Sequence, residues 1–112
     1  MEKYSLTKIE ELAQGNHSFV NTIVLTFVEQ LPEAIENMSN HLAESDLENL
    51  GREAHKLKPS LDLFSINSGM ELVRLLEDYN SFKSPEHAVQ VHDKLIAVLT
   101  EVLQLLKARQ VN

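Results

Sequence analysis

Residues 46–65 read DLENLGREAHKLKPSLDLFS. Within them Leu47, Leu50, Ala54, Leu57, Leu61 and Phe64 recur at steps of three and four, the period of one apolar face on an α-helix. His55 stands beside that stripe, near the solvent boundary. Gly51 and Pro59 lie one turn before and one turn after it. A mid-helix glycine costs about 1 kcal/mol relative to alanine and a mid-helix proline about 3, so the pair forfeits roughly 4 kcal/mol of local propensity. Such a concession in a marginally stable domain suggests a functional position. The Pro59 ring opposes the carbonyl of His55 and disfavours helical geometry at Lys58. The sequence thus predicts a bend near 55–59 and an unpaired His55 carbonyl. Gly51 and Pro59 have no long side chains, which leaves both flanks of the imidazole open. A structural kink without chemical purpose would use the same residues.

Outward from this stretch, helix signals continue. Val20, Val24, Phe27, Leu31, Ile35, Met38 and Leu42 form a second stripe, and Ala88, Val91, Leu95, Val98, Val102 and Leu105 a third. Thr7 with Glu10, Ser45 with Glu48 and Ser68 with Glu71 have capping-box spacing, and Ser84-Pro85 pairs an N-cap with a first-turn proline. These marks predict helices near 7–13, 17–44 (capped by Asn16), 46–65, 68–79 and 85–109, with a bend at Pro32. Long amphipathic helices joined by short loops give an all-α fold, an antiparallel four-helix bundle. The short first helix crosses one end, and residues 1–112 form one domain.

Composition excludes several functions. The chain has no cysteine, so disulfides, thiolate metal sites and cysteine nucleophiles are ruled out. Its net charge of −7 disfavours nucleic acid and acidic membrane surfaces, both of which require clustered cations. No apolar run suggests membrane insertion. The opening residues Met1-Glu2-Lys3-Tyr4-Ser5 lack the apolar core of a secretory signal, so the expected compartment is the cytoplasm. Inward-facing Glu-x-x-His pairs, His-Glu-x-x-His, phosphate-binding glycine loops and a serine elbow are all missing.

Five histidines remain. For His17, His41, His87 and His92 the ordinary reading holds, a solvated surface residue or a satisfied core edge. His55 differs in its company: Lys58 shares its face, and Lys56 is long enough to contribute charge from beside it.

The stretch Ala54-His55-Lys56-Leu57-Lys58-Pro59-Ser60 resembles the signature of histidine-containing phosphotransfer (HPt) domains: histidine, any residue, an apolar residue, lysine, glycine, then serine or alanine. The likeness extends over Leu6–Ala13 with Gly15–Phe19, over Phe27–Pro32, and over the acidic turn Glu44-Ser45-Asp46 through Leu50. It implies a four-helix bundle with an extra N-terminal helix. It also implies that His55 accepts a phosphoryl group from the aspartyl phosphate of one response-regulator receiver domain and passes it to another. Lys58 matches the family lysine that supports the phosphoryl group, and Ser60 the small residue after the glycine. Pro59 departs from that glycine, which changes how closely a partner's backbone can approach. Glu77 corresponds to a glutamine-like residue near the end of the next helix in some members.

The resemblance leaves Mg2+ to the receiver and no cofactor or metal to this chain. The chain would carry phosphate without kinase activity of its own, alone or within a hybrid sensor kinase. One reactive face suffices for a monomer. Ile9 and Leu12 on the first helix are expected to meet the partner. The rival reading is a non-catalytic helical adapter in which His55 is incidental.

Overall fold

A computed structural model describes residues 3–110. Residues 1–2 and 111–112, which the expected domain and opening segment include, lie outside the described residues. Six α-helices follow one another: α1 (Thr7–Ala13), α2 (His17–Ala43), α3 (Leu47–His55), α4 (Lys58–Leu63), α5 (Asn67–Glu77) and α6 (Pro85–Gln110). A 3-10 turn, Tyr79–Ser81, links α5 towards α6. No strand occurs among the described residues.

Four helical columns form the bundle: α2 packs on α3 and α6, and α5 packs on the same two from the opposite corner. Helix α4 continues the column of α3 and leans on α5. The core contains Val24, Phe27, Leu31 and Met38 from α2, Leu50 and Ala54 from α3, Leu61 from α4, Val73 and Leu76 from α5, and Leu95, Leu99, Val102 and Leu106 from α6. Phe27 and Phe64 stack with ring centroids 4.4 Å apart, tying α2 to the end of α4. Helix α1 lies over that end: Ser5 N–H donates to the Phe64 carbonyl (2.8 Å), and Lys8 pairs with Asp62 (3.1 Å).

Several expected details change. The stripe on α6 steps through Leu99 and Leu106, whereas Leu105 is exposed. Both series obey helical spacing, and only the neighbouring helices choose between them. Of the expected caps, Asn16 accepts from Phe19 N–H (3.1 Å) and Ser84 from His87 N–H (3.2 Å). The three capping boxes do not form. Ser45 is taken up by the turn that ends α2, with φ +58°, and Asp46 caps α3 instead by accepting from Asn49 N–H (3.1 Å). Helices α1 and α5 start from Leu6 and Ile66, without a side-chain cap. Both are buried, so apolar anchoring sets these starts. Helix α2 runs on through Pro32.

The expected helix 46–65 is two helices. Helix α3 ends at His55 and α4 begins at Lys58. Pro59 therefore occupies the first turn of a helix, where its missing N–H has no intrahelical partner to lose. The anticipated cost of a mid-helix proline is avoided by restarting the helix. Among the described residues, no backbone N–H is bonded to the His55 carbonyl, in line with the expectation.

Candidate functional site: a histidine at a helix break

His55 is the last residue of α3, and its side chain is 64% exposed. Its Nδ1 lies 2.7 Å from Glu77 Oε2, at the last residue of α5. The other Glu77 oxygen, Oε1, is buried and meets Lys58 Nζ at 2.9 Å, an ion pair without hydrogen-bond alignment. One carboxylate thus joins the imidazole at the end of α3 to the ammonium at the start of α4. Burial pushes the Glu77 carboxyl up. Its contacts with Lys58 and His55 outweigh that effect and hold it below its ordinary value.

An ionised carboxylate only accepts hydrogen bonds. His55 Nδ1 must therefore carry the ring proton, which leaves the lone pair of a neutral imidazole on Nε2. No partner among the described residues occupies Nε2. The outer nitrogen thus carries the lone pair, on a side chain that is largely exposed.

Gly51 explains how Glu77 comes so close. It is buried, and a Cβ there would sit 2.9 Å from the Leu76 carbonyl oxygen. Its missing side chain lets α3 approach α5 closely, just before Glu77. The expectation that Gly51 simply opens a solvent flank is corrected accordingly. It floors a depression of about 230 Å³ bounded by Glu48, Arg52, His55, Glu77 and Tyr79. The open space and the helix contact come from the same missing atom.

The other expected site residues divide. Pro59 is exposed on the far side of the break. Lys56 turns to Glu53 (3.3 Å), whose other oxygen accepts from Asn37 Nδ2 (3.3 Å) on α2. Lys56 and Ser60 line a separate groove against α2, with Phe27, Leu31 and Asn37. Ile9 is fully buried and belongs to the core, so it cannot present a partner surface, whereas Leu12 is 65% exposed. Sequence reasoning did not include Glu48 or Tyr79. Glu48 was detectable from its spacing to Arg52, with which it pairs four residues on (2.8 Å). Tyr79 left no such sign. No group of three histidine or acidic residues is placed to hold a metal among those described. No described helix is long and apolar enough to cross a membrane.

The family model described as Hpt domain matches residues 22–109. The chain belongs to the Hpt domain family. Hpt domains are phosphoryl carriers of phosphorelays, not autonomous enzymes, and interact with receiver domains. The match starts inside α2 and takes in the helix break, Glu77 and nearly all of α6. No curated protein and no solved structure matches the chain.

Proposed function

We propose that His55 is the phosphoacceptor, carrying a phosphoryl group on Nε2 between receiver domains. The observation that carries this reading is the exposed imidazole whose Nδ1 is held by Glu77 while Nε2 has no partner among the described residues. The Nε2 lone pair attacks phosphorus of the receiver's aspartyl phosphate. The P–O bond to the aspartate breaks, and its electron pair stays on that carboxylate. No proton moves at Nε2, so no general base is needed. The ring gains positive charge while Nδ1 keeps its proton, and the Glu77 carboxylate offsets that charge. The reverse sequence delivers the group to a second receiver.

Lys58 acts in this scheme by keeping Glu77 ionised and in place. Pro59 and Gly51 act through backbone geometry. The receiver brings Mg2+, which neutralises the transferring group from the partner's side. Leu12 offers an apolar contact for the receiver, and the chain works in the cytoplasm as a monomer. Free carrier and segment of a hybrid sensor kinase are both compatible with this chemistry.

The test uses receiver domains charged with radiolabelled phosphate in Mg2+ buffer. Label should move to the chain, resist base and be lost in acid, and His55→Gln should abolish it. Label that persists in His55→Gln would move the acceptor to another residue.

A further inference from the structure

The phosphorylated state of this site poses a charge problem. A helical side chain leans over the turn before its own Cα, which places the His55 ring above Gly51 and Arg52. The ring that would carry a phosphoryl group itself lines a depression, together with Glu48, Gly51, Arg52, Glu77 and Tyr79. Two of those residues are carboxylates. Lys58 is not part of the lining, and its ammonium is already engaged by Glu77 Oε1. Arg52 is the one lysine or arginine in the lining.

In the unphosphorylated chain, Arg52 Nη2 donates to Glu48 Oε1 at 2.8 Å. Both side chains are well exposed, at 70% and 58%. Exposed pairs of this kind are weak and easily exchanged. A dianionic phosphoryl group matches the guanidinium fork with two oxygens and forms stronger charge-assisted bonds.

We infer that Arg52 is an exchangeable clamp for the phosphoryl group: it rests on Glu48 in the free chain and transfers to the phosphoryl oxygens once His55 is loaded. This rests on His55 being the acceptor. No bond to phosphorus is made or broken in the exchange. Arg52 is a binding residue for the carried group, and Glu48 sets its resting position. The charged and titratable groups around the ring are Glu48 and Arg52 from α3, Glu77 from α5 and Tyr79 from the 3-10 turn, with Lys58 of α4 paired to Glu77.

The experiment loads the full chain with phosphoramidate, a small donor that phosphorylates imidazole nitrogen without a partner. The second ionisation of the phosphoryl group is then followed by 31P NMR. Arg52→Gln should make the group a weaker acid by about three- to tenfold, and Arg52→Lys should recover part of that change. Glu48→Gln should make it a stronger acid, and this effect should shrink when Arg52→Gln is already present. An unchanged midpoint in Arg52→Gln would overturn the clamp. So would a Glu48→Gln effect of equal size in both backgrounds, since Glu48 would then act directly. If phosphoramidate leaves His55 of the wild type unlabelled, the acceptor assignment fails and the clamp with it. That result is distinct from a labelled His55 that ignores Arg52.

Discussion

His55 and His92 have similar surroundings on one ring nitrogen and opposite ones on the other. In each, Nδ1 meets a carboxylate: Glu77 at 2.7 Å for His55, and Asp93 at 3.0 Å for His92. His92 is buried between α6 and α2, and its Nε2 is bonded to Ser39 Oγ at 3.1 Å. His55 stands at a helix end, largely exposed, and its Nε2 has no partner among the described residues. A carboxylate on Nδ1 fixes the tautomer in both places. Exposure of the ring and a free or bonded Nε2 separate the two histidines. The carboxylates also differ in origin. Asp93 is the next residue along the chain, whereas Glu77 arrives from another helix and needs the close approach of α3 to α5.

The sharpest way to break this comparison is to force α3 away from α5. Gly51→Ala places a methyl group against the Leu76 carbonyl, and backbone cannot yield as a flexible side chain can. It should destabilise the fold by about 1–3 kcal/mol, read as a lower urea midpoint. It should also loosen the Glu77–His55 bond, read as a shifted Nδ1 resonance, with the His92 resonances unmoved. An unchanged midpoint would mean that the approach is not fixed by packing at Gly51.

Glu77→Ala tests the tautomer directly. With no acceptor at Nδ1, the proton distributes over both nitrogens and the charge developing on the ring is no longer offset. Phosphoryl loading of His55 should slow by roughly tenfold with little change in helicity, as measured by label uptake and circular dichroism. The matching change at the other histidine, Ser39→Ala, leaves a buried ring nitrogen without its partner. It should cost about 1 kcal/mol of stability and leave label uptake at the wild-type rate.

The smallest effect concerns acid. The Glu77 carboxyl is pushed up by burial, but Lys58 and His55 prevail and hold it below its ordinary value of 4.5. Its contribution to stability is therefore complete above that value and fades as pH falls through the lowered folded one. Between those limits the wild type should lose stability more steeply than Glu77→Gln in urea titrations. Parallel curves would separate Glu77 ionisation from folding.

Some of this was legible in the chain. The stripes from Val20 to Met38 and from Leu50 to Phe64 are strict enough to declare buried faces, and Pro59 declared a bend, which the structure turns into a break between α3 and α4. The stripe on α6 was ambiguous because leucine and valine also occupy positions one residue from the buried ones. The caps failed where Leu6 and Ile66 found the core, since burial of a large apolar side chain outweighs one exposed hydroxyl contact. Ile9 seemed available for a partner because a seven-residue helix does not reveal which of its sides meets the bundle.

Sequence alone determined the helical class, most of the helix positions and an irregularity near residues 55–59, because these depend on residues a few positions apart. Tertiary structure decided that Glu77 grips Nδ1, that Gly51 is a contact as well as an opening, and that Arg52 shares a depression with two carboxylates. Those facts depend on where α3 and α5 meet. Helical periodicity fixes which face turns inward, but the contact between two helices is set by packing of side chains on both.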